Sequence, residues 1–280
     1  MEPLFVFLTY PMQTKISAYY GSVKCASAIS KSRLPGLDYT INPFVGCEHG
    51  CIYCYVPDVL RKKDFVDSWG DKVYAKENIA EVLSRQIKTL NQGIIGFSTV
   101  TDPYQPYEKR ACLVRPLIEK MLEKGLKISF QTKSSLILRD IDIIKGENVE
   151  VGFTLTSFDK DFSQLFEPRA SLPEDRVEAI ETFALRNVKT YIFYGPIIPG
   201  YNDDDGTISH IMVLAKKTKS RILFDKLNMR PLLSSRMSKV LGKEKVENFR
   251  FQEKYEWADM IYSKVKSVGR KLDVLVESAF

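Results

Sequence analysis

The chain has 280 residues, 44% hydrophobic and 27% charged. That composition excludes a disordered or low-complexity protein, and the length suits one large α/β unit. The net charge of +6 is uneven: four basic residues and no acidic one lie between Pro3 and Leu37, and eleven basic residues from Lys216 to Arg250 face only Asp225, Glu244 and Glu247. Such a surplus suits a polyanionic partner, or is simply a solvated face.

In chain order, the apolar start from Leu4 to Leu8 follows Glu2 and Pro3 rather than a basic segment, and no apolar run reaches the roughly 18 residues of a membrane span. A cytoplasmic protein with no membrane contact is expected. Six β-rich apolar runs follow: Tyr39 to Val45, Ile94 to Val100, Leu126 to Gln131, Val149 to Leu155, Val188 to Tyr194 and Ile222 to Leu227. Helical patterns fall between them at Asn78 to Leu90, Leu113 to Lys124, Leu138 to Ile144, Pro173 to Leu185 and Ile208 to Lys217. The fourth is the best marked, with Ser171 as a candidate cap, Pro173 in the first turn, and Glu174 and Asp175 at the positive end. Alternation of this kind predicts parallel strands and right-handed crossovers, with chemistry at the carboxyl ends of the strands. The expected fold class is α/β, a partial (β/α)6 TIM-like barrel with a C-terminal extension. Its expected parts are a basic amino-terminal segment (1–35), the barrel core (36–230) and a helical extension (231–280). The extension includes a helix near Tyr255 to Val265 and a short apolar run, Val274 to Val276, suited to covering a sheet edge.

The five cysteines are an odd number, and three of them crowd into Cys47-Glu48-His49-Gly50-Cys51-Ile52-Tyr53-Cys54, directly after the first expected strand. That suits a metal site in a reducing compartment better than a disulfide framework. Three thiolates on one tight loop can ligate three irons of a [4Fe–4S] cubane and leave the fourth iron open. A zinc site using His49 as fourth ligand is the competing reading, although all its donors would have to converge from one short loop. Cys25 and Cys112 are isolated and suit small buried hydrophobes.

The spacing C-x3-C-x2-C, with Tyr53 just before the last cysteine, resembles the signature of the radical S-adenosylmethionine (SAM) superfamily. The resemblance extends over roughly residues 36 to 200 and is similar to the branch containing spore photoproduct lyase and its DNA repair photolyase-like relatives. It is carried by Gly36 to Pro43, Cys54-Tyr55, Thr101 to Glu108, Gln131 to Ser134, Phe166-Glu167-Pro168 and Pro196 to Gly200. It implies a [4Fe–4S] cluster on Cys47, Cys51 and Cys54, S-adenosyl-L-methionine as cofactor, and an external electron donor of flavodoxin or ferredoxin type. It implies reductive cleavage of SAM to a 5′-deoxyadenosyl radical that abstracts hydrogen from substrate. Among cofactor neighbours it implies Tyr53 near the adenine, Lys133 at the methionine carboxylate, and Thr154 and Gly195 close to the ligand. Tyr55 resembles a tyrosine that relays the radical, and Asp102, in a loop stiffened by Pro103 and Pro106, is a candidate for binding or catalysis together with Glu108.

One position departs from the lyase pattern. Thr99, expected beside the cofactor, stands where the lyase has a cysteine that returns hydrogen to the product radical, and a hydroxyl cannot give up hydrogen as a thiol does. Repair or modification of DNA or RNA therefore stands beside radical chemistry on a peptide, lipid or small molecule, and beside a non-enzymatic iron–sulfur or zinc module that binds nucleic acid.

Overall fold

A computed structural model describes residues 18–61, 67–90, 92–254 and 256–279. The apolar start from Leu4 to Leu8 and Lys15 lie outside them. The strands in chain order are Tyr19–Val23 (β1), Ile29–Lys31 (β2), Tyr39–Ile41 (β3), Phe44–Val45 (β4), Lys72–Lys76 (β5), Ile94–Phe97 (β6), Lys127–Thr132 (β7), Val149–Thr154 (β8), Lys189–Ile197 (β9), Arg221–Lys226 (β10) and Val276–Ser278 (β11).

Eight of them form one sheet in the order β11-β10-β9-β8-β7-β6-β3-β2. Every pair in it is parallel except the edge pair β2–β3. The six expected strands correspond to β3, β6, β7, β8, β9 and β10, and they build the parallel arc of a partial (β/α)6 barrel. The apolar run near the carboxyl end adds a seventh parallel strand: Ile222 pairs with Val276. A smaller sheet, β1-β5-β4, stands beside the arc.

Strand alternation sorts the side chains. Phe97, Phe130, Phe153, Ile192 and Phe224 are 0–2% exposed and share one core with Leu117 and Met121 of helix Val114–Glu123, Ile180 and Phe183 of helix Pro173–Leu185, and Ile211 and Ala215 of helix Asp205–Thr218. Each buried aromatic or aliphatic side chain of this layer contributes about 1.5–3 kcal/mol relative to exposure. The alternate positions are small or polar: Gly96, Ser129, Gln131, Gly152, Thr154 and Tyr191. A Cβ on Gly152 would sit 2.0 Å from the Tyr191 ring, so glycine is required where that ring crosses the strand.

Four local expectations change. The run from Tyr39 to Val45 is two strands, because Pro43 has no N–H to donate to a ladder and the Asn42 carboxamide instead accepts from Val100 N at 3.0 Å. Beyond this break β4 pairs with β5 in the smaller sheet. The helix expected over Leu138 to Ile144 is a 3-10 turn at Ser135–Asp140, and Ser171 does not cap its helix. The Ser171 hydroxyl instead accepts from Ser135 N at 2.9 Å, tying that turn to the start of the helix, while Pro173 does occupy the first turn. The helix placed near Tyr255 to Val265 runs over Glu256–Leu272, and two further helices, Pro231–Leu241 and Lys243–Lys254, precede it.

Candidate active site

The three clustered cysteines occupy the loop after β4, before a short helix at Val56–Leu60. Gly46 (φ 89°) and Gly50 (φ 64°) take left-handed backbone there, and a Cβ on Gly70 would sit 2.8 Å from Gly50 Cα, so the loop and the segment behind it approach through bare glycine. Gly50 N donates to Cys47 O at 3.3 Å and Cys54 N to Cys51 O at 3.1 Å, which turns the three side chains into one neighbourhood.

Cys47 and Cys51 are 8% and 6% exposed and Cys54 is half-buried. Burial, then the Asp102 charge and the neighbouring sulfurs, pushes the Cys47 thiol well up. Burial pushes Cys51 up to about 12 despite the opposing charge of Lys133, and Cys54 rises for the same first reason. A buried thiol in this state ionises only when a cation replaces the proton, which is what an iron centre supplies. Among the described residues no three His, Cys, Asp or Glu side chains converge on a single metal ion. Three thiol donors on one loop suit a cluster, in which each thiolate meets a different iron, better than a zinc that wants four protein ligands. His49 is engaged elsewhere: its Nδ1 lies 3.4 Å from Asp102 Oδ2.

Lys133 stands at the carboxyl end of β7, its ammonium 5.7 Å from the centroid of the Tyr53 ring. Among the described residues it makes no ion pair at contact distance, yet it lies within electrostatic reach of Cys51, Glu167 and Asp102. Burial would lower its pKa, but those negative charges more than offset burial and raise it, so it is held as a cation. The Tyr53 hydroxyl donates to Glu167 Oε1, which also accepts from Thr156 Oγ1 at 2.8 Å, while Arg176 pairs with Glu167 Oε2. Arg176 donates further to Thr154 O at 3.0 Å and Ser171 O at 2.8 Å. Glu167 is 2% and Arg176 0% exposed. Burial alone would raise the Glu167 carboxyl, and the charges of Arg176 and Lys133 reverse the direction and hold it low. The network fixes the ring of Tyr53 beside Lys133.

Asp102, 6% exposed, has both carboxylate oxygens engaged. Oδ1 accepts from Tyr104 N at 2.9 Å and Thr132 Oγ1 at 2.7 Å, and Oδ2 accepts from Lys133 N at 2.8 Å beside His49. It joins the cysteine loop to the end of β7. Glu108 is likewise occupied, accepting from Leu113 N and Val114 N at 3.0 Å and from Arg139.

Thr99 exchanges a 2.9 Å hydrogen bond with Thr40 at the ends of β6 and β3, and its carbonyl accepts from the Tyr55 hydroxyl at 3.3 Å. Tyr55 is 41% exposed, with the Arg230 guanidinium 5.9 Å from its ring centroid. The Thr154 hydroxyl, at the end of β8, accepts from Gln131 Nε2 at 3.3 Å. Gly195 lies late in β9, where a Cβ would meet the Phe193 ring at 2.7 Å. Cys112 is exposed at the end of a short helix, and Cys25 packs against the helix-side core with its N–H on Asn78, so neither belongs to this set of strand ends.

The residues missing from the sequence reading are the supports. Glu167 was visible only as part of a matched tripeptide, and nothing in the sequence singled out Arg176. Asp58 and Arg236 carried no signal, because their hydrogen bonds join residues 174 to 184 positions apart in the chain. Asp58 accepts from Leu232 N and Leu233 N at 3.0 Å, capping helix Pro231–Leu241 from the cysteine-loop side.

The family model described as the radical SAM superfamily matches residues 41–210. An uncharacterised protein of Methanocaldococcus jannaschii is 32% identical over 210 residues, 74% of this chain and 77% of the relative. A protein of Pseudomonas phage M6 named radical SAM Nalpha-GlyT isomerase is 26% identical over 215 residues, 74% of this chain and 44% of the relative. Among solved structures, a spore photoproduct lyase variant with bound AdoMet and dinucleoside spore photoproduct superposes with a TM-score of 0.68 at 14% identity, covering 93% of this chain and 81% of that one. At that identity the likeness is one of fold.

Proposed function

The chain belongs to the radical SAM superfamily, and from that premise we propose that it modifies a base of DNA or RNA by hydrogen abstraction, with Cys47, Cys51 and Cys54 holding the cluster and Lys133 the cofactor's carboxylate. The superfamily's [4Fe–4S] cluster and SAM supply the electron and the 5′-deoxyadenosyl radical. The chain's own residues bind, orient and shield. Lys133 is a cation without an ion-pair partner among the described residues, placed where an anionic carboxylate gains a charge-assisted contact in a largely dry site. Tyr53, locked by Glu167, offers a ring face beside it for the adenine. Thr154 ends β8 and Gly195 lies late in β9, on the same side of the sheet ends as Lys133. Asp102 acts by holding the cysteine loop against β7, and the half-open Tyr55 stands at the rim as the candidate radical relay.

The observation that carries the reading is the single neighbourhood of three thiols, two of them buried and one half-buried, and a lysine without an ion-pair partner among the described residues, at the carboxyl ends of parallel strands. The nucleic-acid part rests on the lyase likeness with its bound dinucleoside and on the basic stretch from Lys216 to Arg250. Thr99, tied to Thr40, favours modification over a repair cycle that needs a thiol at that position. An external low-potential donor completes the reaction, and a reducing cytoplasm suits it. No helix among the described residues is long and apolar enough to cross a membrane.

The test is anaerobic turnover with dithionite, SAM and perdeuterated oligonucleotides. Deuterium in 5′-deoxyadenosine supports the substrate class. Formation of 5′-deoxyadenosine that stays unlabelled with DNA and RNA while a deuterated peptide or metabolite labels it would refute that class.

A further inference from the structure

The matched residues end at 210, and helix Pro231–Leu241 lies beyond them. Its residue Arg236 is 8% exposed and reaches back across the cysteine loop, donating through Nη2 to Ile52 O at 3.1 Å and Cys54 O at 2.5 Å. Its Nη1 is buried without a hydrogen-bond partner. The guanidinium lies within electrostatic reach of the Cys54 and Cys51 sulfurs and of Asp58, the carboxylate that caps the same helix. Leu233 and Met237 of this helix pack in one apolar cluster with Cys51 and Tyr53.

A buried cation whose second nitrogen has no partner is costly unless negative charge faces it. Three thiolates and a cluster provide such charge, and one-electron reduction adds more of it. We propose that Arg236 is a positioning residue of the C-terminal extension that holds the cysteine loop by two carbonyls and, through its charge, raises the reduction potential of the cluster bound there. The inference rests on the cluster reading above. The step concerned is transfer of one electron from an external one-electron reductant to the oxidised cluster, with no bond made or broken. In low-dielectric surroundings a fixed positive charge favours the more negative, reduced form.

The experiment compares the wild-type chain with Arg236→Gln and Arg236→Lys, each reconstituted anaerobically and titrated with dithionite while the electron paramagnetic resonance signal of the reduced cluster is followed. At the wild-type midpoint the reduced-to-oxidised ratio should fall about tenfold in Arg236→Gln, equivalent to ~59 mV for one electron, and stay near one in Arg236→Lys. In the metal-free chains, hydrogen exchange over residues 46–55 should rise in both variants, because an ammonium cannot fork to two carbonyls as a guanidinium does. If Arg236→Gln does not fold, Arg236→Met, which keeps the alkyl packing without the charge, is titrated in its place. An unchanged potential in the uncharged variant overturns the proposal, as does an equal fall in Arg236→Lys. A wild-type chain that assembles no cluster refutes the cluster reading instead, and the two failures are told apart by iron content before any variant is made.

Discussion

The two ends of the parallel sheet treat charge differently. At the amino end, Arg221 of β10 is held between Glu150 at 3.0 Å and Glu277 at 3.2 Å, and its guanidinium lies 5.1 Å from the centroid of the Tyr191 ring. Arg221 there meets an opposite charge on either side. At the carboxyl end the supports are paired just as completely, Glu167 with Arg176 and Asp102 with its donors. Lys133 and the three thiols are different. Among the described residues Lys133 makes no ion pair at contact distance, and burial disfavours ionisation of the thiols. A charge satisfied by its neighbours reads as architecture, and a charge or donor set that stays unsatisfied in an otherwise satisfied network reads as a ligand site.

The contrast can be broken most forcefully at the cysteines. Cys51→Ala should abolish cluster assembly, with loss of iron and of the visible absorbance and at least a thousandfold loss of SAM cleavage. Its fold should survive, because a buried cysteine replaced by alanine costs only about 1–2 kcal/mol. A chain that retains iron at the wild-type ratio would contradict the assignment.

The supports should respond in stability first. Glu167→Ala leaves Arg176 buried without its carboxylate and should destabilise by about 3–5 kcal/mol, seen as a lower thermal midpoint. Glu167 also gives the wild type a pH dependence. Its folded pKa lies below the ordinary 4.5, so its contribution is fully present above that value and is lost as pH falls through the lowered folded value. Thermal midpoints recorded downward from pH 5 should therefore fall more steeply in the wild type than in Glu167→Gln, and parallel curves would contradict the pairing.

Lys133→Met separates ligand binding from stability. It removes a charge with no ion-pair partner at contact distance but with Glu167 and Asp102 within electrostatic reach, so the midpoint should fall only slightly, while SAM affinity weakens by about 10- to 100-fold with the cluster intact. Equilibrium dialysis with SAM checks it, and a much lower midpoint with unchanged affinity would make Lys133 a structural residue. The smallest effect is expected at the amino end, where Arg221→Gln should cost about 1 kcal/mol, since the pair is partly exposed, and should leave SAM affinity unchanged.

The same division between paired and unpaired groups explains what could be read without coordinates. The six core strands and four of the five helices announced themselves through periodic apolar burial, a local property of the chain. Cys47, Cys51 and Cys54 are visible because one loop carries the whole donor set, and Lys133, Thr154 and Gly195 because they match positions of a family the sequence resembles. The break at Pro43 was equally local, but the strand pattern on either side of it masked the change of sheet. Asp58 and Arg236, and Glu167 toward Tyr53, work through partners distant in the chain, and their residue types are those of any solvated surface. Asp102 shows the limit from the other side: its loop marked it as functional, and only the geometry reveals that four neighbouring groups, Tyr104 N, Thr132 Oγ1, Lys133 N and His49, already surround its carboxylate.

The most direct test of the account is the electron paramagnetic resonance spectrum of the dithionite-reduced, reconstituted chain with and without SAM. If the carboxyl end of the sheet presents a cluster with an open iron and Lys133 beside it, adding SAM should shift the g values of an intact cluster, and the shift should weaken in Lys133→Met at the same SAM concentration. A full complement of cluster whose spectrum does not change with saturating SAM would contradict the account.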